Sequence, residues 1–282
     1  MPTYPSASVR AAREALGVRL KEMRLDAGLS AREVAERCGW HPSKASRLQS
    51  ARTVPSDADI RAWCRVCAAD DQAADLVAAN RQADSMYTEW KRLHRAGMRR
   101  VQEDFVPLFE QTKTFRTYCA DVIPGLVQTQ EYTTALLRLI SQFHGAPDDA
   151  EEAAAARVGR SHVIREGDHR CVLVMEEDVL HKRLGGAAVM AGQLGHLLSV
   201  MALPNVSFGI VPRTADRAIW PMETFDIFDD QRVHVELLSA QITVTSPGEI
   251  TLYLKAFEEL RQLAVYGSEA RALVLRAIEA VG

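Results

Sequence analysis

Ser43, Lys44 and Arg47 fall on one face if residues 42–50 are helical, because three- and four-residue spacings are neighbours on an α-helix. That face is short-reach at the serine and long and cationic at the other two. A guanidinium can pair bidentately with guanine, worth about 1–3 kcal/mol in discrimination. An ammonium or a hydroxyl can reach a base edge or a phosphate. The chemistry is recognition of a polyanion, not bond-making. Arg47 is the first candidate base reader, with Lys44 and Ser43 beside it. Arg52 just past this helix and Arg32 before it are phosphate candidates. Ser30 joins them because backbone amides at a helix start attract anions.

Such a face needs a scaffold, and the flanking residues supply one. Apolar residues recur with helical spacing at Leu16, Leu20 and Met23, so a helix is expected from Val9 to Ala27, ended by Gly28. Ser30 and Glu33 have the capping-box spacing and start a short helix through about Arg37. Gly39 suits a tight turn. His41-Pro42 opens the next helix, with proline at its first position and imidazole in the capping place more often held by Ser or Thr. Small Ala35 and Ala45 allow these two helices a close approach, with Ala45 and Leu48 turned to the core. Two short helices joined at a glycine have the layout of a helix-turn-helix, whose second helix enters the DNA major groove. A fourth helix starts at Pro55-Ser56, and a long polar helical pattern covers about Asp71–Ala96. The bland alternative is a helical hairpin with a solvated basic face.

The charge is split. Residues 1–102 hold 18 Lys+Arg against 12 Asp+Glu, and residues 103–282 hold 16 against 25, in a chain of net charge -3. One part thus suits a polyanion better than the other. There is no run of about 20 apolar residues, which argues against a membrane span. The N-terminus does not resemble a signal peptide, and five scattered cysteines fit reduced thiols in a cytoplasm. The expected location is therefore cytoplasmic, at the nucleoid through DNA.

Past residue 104 the pattern changes. Ile123-Pro124-Gly125-Leu126 reads as a turn, and Thr129 as the cap of a helix to Ile140. An Ala-rich helix is expected at 151–165 and another at 187–202. Strand-like runs are Cys171–Met175, Val206–Val211, Glu223–Phe228 and Val233–Leu237. Ser246-Pro-Gly-Glu249 opens a helix to Ala264, and a last helix starts near Ser268. The expected fold is an all-α helix-turn-helix domain followed by an α+β domain with a mainly antiparallel sheet. The expected division is an arm at 1–8, the helix-turn-helix domain at 9–80, a connecting helix at 81–104 and the α+β domain at 105–282.

Other residues carry less. Cys64 and Cys67 have C-x-x-C spacing, but two further zinc ligands are missing nearby and Ile60 and Trp63 share their helix face, so core packing is expected. Glu176-Glu177-Asp178 reads as a solvated turn. Trp220, Met222 and Phe225, beside a polar loop, are candidates to line a ligand pocket or a partner contact; covering the sheet edge is the plainer alternative. No nucleophile elbow, phosphate loop or dinucleotide fingerprint occurs, so neither an enzyme nor a cofactor or metal is expected.

Residues 15–68 resemble the XRE (Cro/repressor-type) helix-turn-helix family through Leu29-Ser30, Val34-Ala35, Gly39, Ser43, Ser46-Arg47-Leu48, Arg52 and Pro55. The family usually has Glu-Asn-Gly or Glu-Thr-Gly after the recognition helix, where this chain has Gln49-Ser50-Ala51. From about residue 105 the chain resembles the C-terminal domain of actinobacterial, antitoxin-like regulators. The matching residues include Pro107-Leu108-Phe109-Glu110, Ile123–Thr129 with Tyr132, Gln193-Leu194, His196-Leu197-Leu198, Val206–Pro212 and Val235-Glu236. These resemblances imply a transcriptional regulator of actinobacterial development, a homodimer on double-stranded DNA, often paired with a small protein encoded nearby. A small-molecule sensor in the C-terminal domain is the alternative.

Overall fold

The computed structural model describes residues 7–82, 87–94 and 97–281. The chain forms two compact units, Met1–Tyr87 with Thr243–Thr251, and Thr88–Ile242 with Leu252–Gly282.

The first unit is built on α1 (Ala7–Asp26), α2 (Ala31–Arg37), α3 (Pro42–Gln49), α4 (Asp57–Val66) and α5 (Ala73–Gln82). The helix starts follow their capping residues. Ser30 and Glu33 satisfy each other's backbone amides at α2, and Ser56 and Asp59 do the same at α4. His41 caps α3, its Nδ1 accepting from the Ser43 amide at 3.3 Å. Four helix exits share one device. Gly28, Gly39, Ala51 and Ala68 have φ of 68, 69, 53 and 54°. The next amide then reaches back to a carbonyl of the last turn, as from Arg52 to Arg47 at 2.9 Å and from Ala69 to Cys64 at 2.9 Å. Alanine pays about 1 kcal/mol more than glycine for this left-handed geometry, so the exit at Ala51 is made in spite of its residue type.

The core between these helices includes Leu20, Val34, Ala35, Ala45, Leu48, Ile60, Trp63 and Cys64. The Trp63 indole N–H donates to the Leu20 carbonyl at 3.0 Å, tying α4 to α1. Cys64 and Cys67 are buried here, and burial pushes the Cys64 thiol up to about 11.

Two expectations about the middle of the chain are corrected. The long helix at 71–96 is broken: α5 ends at Gln82, and β1 (Tyr87–Glu89) and α6 (Trp90–Leu93) follow. The segment 81–104 is thus not one connecting helix, and it ends in α7 (Arg99–Asp104). Its sequence is polar over much of its length and offers no continuous apolar stripe to hold a single long helix. Residues 243–251 belong to the first unit, where the Gly248 amide donates to Asp75 at 2.9 Å. Of the expected arm at 1–8, residues 1–6 lie outside the described residues, and Ala7 and Ser8 already belong to α1.

The second unit continues with α8 (Val106–Gln111), β2 (Thr114–Cys119), α9 (Gln130–His144), α10 (Ala150–Arg160), β3 (Arg170–Glu176), α11 (Ala187–Val200), β4 (Val206–Val211), β5 (Phe225–Phe228) and β6 (Arg232–Glu236). β7 (Ala240–Val244), α12 (Pro247–Leu263) and α13 (Gly267–Val281) close the chain. The sheet order is β1-β7-β6-β5-β2-β3-β4. β2–β3 and β3–β4 are parallel, whereas β2–β5 and β5–β6 are antiparallel. The sheet is therefore mixed, not mainly antiparallel. Helical crossovers cause this: α9 and α10 separate β2 from β3, and α11 separates β3 from β4, so each strand returns in the same direction. The core holds Phe115, Ile123, Tyr132, Leu173, Met190, Leu194, Ile210 and Val274, among others.

The turn at 123–127 is built as expected. The Val127 amide donates to the Pro124 carbonyl at 3.0 Å, and Thr129 caps α9 by accepting from the Tyr132 amide at 3.3 Å. Gln128 ties the turn to the helix that follows. Its amide donates to the Ile123 carbonyl at 2.6 Å and its oxygen accepts from Thr133 at 3.0 Å.

Candidate nucleic-acid interface

α3 is the second helix of the pair, and its inner face is fixed. Ala45 and Leu48 are 0% and 1% exposed. Arg24 of α1 reaches across to it: Nε donates to Gln49 Oε1 at 3.0 Å while a terminal nitrogen donates to the Leu29 carbonyl. Gly17 of α1 faces the last turn of α3, where a Cβ would lie 2.8 Å from the Gln49 carbonyl oxygen. Only a residue without a side chain permits that approach.

The outer face is correspondingly defined. Arg47 is exposed and makes no ion pair among the described residues, as is Arg52 after the helix. Ser46, exposed one position earlier, adds a hydroxyl that the spacing of 43, 44 and 47 left out. Ser43 is half-buried, with its hydroxyl 2.9 Å from His41 Nδ1.

Lys44 is placed differently from its sequence expectation. Its ammonium donates to Asp59 Oδ1 at 2.6 Å and lies 4.6 Å from the Trp40 ring centre. Burial raises the Asp59 carboxyl, but hydrogen bonds from Lys44 and Ser56 outweigh it and leave the group below its ordinary value. Lys44 is thus a strut between α3 and α4 before it is a contact for anything else.

The start of α2 is likewise occupied. Ser30 Oγ accepts from the Glu33 amide at 3.2 Å, and the Ser30 amide donates to Glu33 Oε2 at 2.7 Å. Backbone and side-chain hydrogen bonds from Ser30 hold the Glu33 carboxyl below its ordinary value. A carboxylate already sits where the phosphate was expected, so Ser30 reads as a cap. Arg32 projects into solvent with a single ion pair to Glu36 at 2.9 Å.

A family described as "Helix-turn-helix domain" matches residues 15–77, from within α1 through α2–α4 to half of α5. A second, described as "Domain of unknown function (DUF5753)", matches residues 102–276, more than half of the chain. The chain belongs to the DUF5753 family. A search of the curated proteins found no match.

Within the DUF5753 unit the three aromatic and methionine candidates do not meet in a pocket. Trp220 is 73% exposed, whereas Phe225 is buried against Tyr118, Tyr253 and Phe257. Of the acidic run at 176–178, Glu176 departs from a solvated turn, whereas Asp178 is exposed. Glu176 is buried, accepts from the Tyr118 hydroxyl at 2.7 Å and pairs with Arg217. A cavity in this unit lies elsewhere. It has a volume of about 400 Å³ and is lined in part by Gln102, Arg157, Arg160, Asp226, His234 and Glu236. Sequence reading passed these residues over. The available signal was the polar alternation of Arg232, His234 and Glu236 on β6, which resembles an ordinary solvated strand face.

Proposed function

We propose that the chain is a sequence-specific transcriptional regulator that acts by binding, not by catalysis. Its helix-turn-helix domain lays α3 in the major groove, with Arg47 on a base edge and Ser43 and Ser46 beside it. Arg52 and Arg32 hold phosphates, and Lys44 sets the tilt of α3 while its ammonium remains at the rim of the contact. The observation that carries this reading is the exposed, unpaired Arg47 on a helix whose opposite face is locked by Ala45 and Leu48. Two copies would place two such helices in half-sites about 34–36 Å apart or a multiple of that. The DUF5753 unit would supply the dimer contact and, as the actinobacterial antitoxin-like resemblance implies, a surface for a small partner protein.

The test is fluorescence anisotropy with the DNA upstream of the protein's own gene. Arg47→Ala should weaken specific binding about tenfold or more, and affinity should fall steeply between about 50 and 200 mM salt. Unchanged affinity and unchanged sequence preference in that variant would remove the assignment. A second reading, a regulator that responds to a small molecule, is favoured by the cavity in the DUF5753 unit, since a concave interior site of this size suits a ligand.

A further inference from the structure

The cavity lies wholly within the second unit. Thr117, Asp226 and His234 are neighbours across β2, β5 and β6, in register pairs Thr117↔Asp226 and Asp226↔His234. α7 and α10 bring Gln102, Arg157 and Arg160 to the same space. Arg160 is 9% exposed. One of its terminal nitrogens donates to Gln102 Oε1 at 2.6 Å and to the Gln102 carbonyl at 3.1 Å. Its guanidinium carbon lies 4.6 Å from the Phe109 ring centre and 5.1 Å from that of Phe105. Its Nε is buried with no hydrogen-bond partner. Arg157 donates to Gln102 at 2.9 Å and to Gln128 at 3.2 Å.

The two guanidiniums are held by neutral groups. The two carboxylates are held by almost nothing: Asp226 accepts from Thr117 at 2.5 Å, and Glu236 accepts no hydrogen bond among the described residues. No ion pair joins either carboxylate to either arginine among the described residues. Arg157 and Arg160 thus line one cavity with Asp121, Asp226 and Glu236, with no direct ion pair between them among the described residues.

A guanidinium taken from water and left without a counter-charge, as Arg160 is, is expensive; Arg157 and Asp226 are half-buried and Glu236 is exposed. A ligand carrying both signs would relieve both sets, whereas a simple anion or cation would relieve one and repel the other. Asp121 is a third carboxylate on the lining and tips the balance towards negative charge. Burial drives His234 down to about 3 and lowers His94, so both rings are neutral near pH 7. His144 stands edge-on to His94, with ring centres 5.8 Å apart. Asp121, exposed, is already engaged by Thr224 and the Val122 amide. The remaining wall is apolar and aromatic, including Trp90, Phe105 and Phe228.

We propose that this cavity binds a small zwitterion of the aromatic α-amino-acid type, its carboxylate taken by Arg157 and Arg160, its ammonium by Asp226 and Glu236, and its ring by the aromatic wall. The volume suits a molecule of that size. Burial raises Asp226 to about 6 and, with Arg157 nearby, lowers Arg160 to about 9, so burial disfavours the charged form of each. The inference gives a ligand class to the small-molecule reading above and rests on it; its test needs no DNA.

Calorimetry and thermal shift on the full chain would use L-tryptophan and L-phenylalanine, N-acetyl-L-tryptophan (anion only) and tryptamine (cation only). At least one amino acid should bind and raise the unfolding temperature, and the single-charge analogues of L-tryptophan should bind about tenfold or more weakly. Glu236→Gln should weaken the amino acid and tighten N-acetyl-L-tryptophan, whose carboxylate it no longer repels. Its side chain holds no other part of the fold, so the variant should fold. Absence of binding by both amino acids would overturn the proposal. So would equal affinity for either single-charge analogue, or a Glu236→Gln variant that binds the amino acid as wild type does. Amino-acid binding that leaves DNA affinity unchanged would keep the site and remove the ligand-responsive reading.

Discussion

Arg47 in the helix-turn-helix unit and Arg160 in the DUF5753 unit put the same side chain in opposite settings. Arg47 stands in solvent with no ion pair among the described residues, on a helix held from behind by Ala45, Leu48 and Gly17. Arg160 is buried, stacked on two phenylalanine rings and fastened to Gln102. The first is free to be given to a partner at little cost to the fold. The second is already part of the fold, and its Nε is buried without a partner. The comparison teaches that removing each arginine should damage a different property.

The largest expected effect is from Arg160→Ala. It strips Gln102 of one of its two arginine partners and opens space between Phe105 and Phe109, so the DUF5753 unit should lose ~2–4 kcal/mol in urea unfolding. Loss below about 0.5 kcal/mol would mean that the buried arginine is as dispensable as a surface one. Next comes Arg47→Ala, which should cost about 1–3 kcal/mol in DNA binding and shift unfolding by less than about 0.5 kcal/mol. A change in stability larger than its change in affinity would erase the contrast.

Asp226→Asn sharpens the comparison through pH. Burial raises the Asp226 carboxyl from 3.8 to about 6 in the folded chain. The folded state therefore holds the proton more tightly than the unfolded state. Stability from this group is fully present below pH 3.8 and is lost as pH rises through about 6. The amide variant should be ~1–2 kcal/mol more stable at neutral pH and equal to wild type at pH 3, as read from melting curves. The smallest effect belongs to Ala51→Gly, which should stabilise the first unit by about 1 kcal/mol or less by relieving the left-handed geometry. DNA affinity should stay the same, since the exit hydrogen bonds are already made.

The first unit was largely legible because each of its boundaries is a local event. Ser30 with Glu33, His41-Pro42, Ser56 and the glycines at 28 and 39 act within a turn of their own position. What was lost there is non-local: Lys44 looked like an outward cation until Asp59, fifteen residues on, closed on it. In the second unit β2 was missed because Arg116 and the threonines at 114 and 117 interrupt its apolar run, and with β2 went the parallel character of the sheet. The cavity was illegible for a related reason. Arg157, Asp226 and Glu236 have the alternation and spacing of solvated faces, and an interior lined with charge has the same local signature as an exterior one.

Gly17 carries a consequence beyond packing. With the Gln49 carbonyl only 2.8 Å from where a Cβ would sit, the last turn of α3 rests directly on the backbone of α1. A single added methyl would have to lift that end, tipping the helix like a door shimmed at its hinge. How far the Arg47 guanidinium projects is thus set by an atom that residue 17 does not have, on a helix that need never meet DNA.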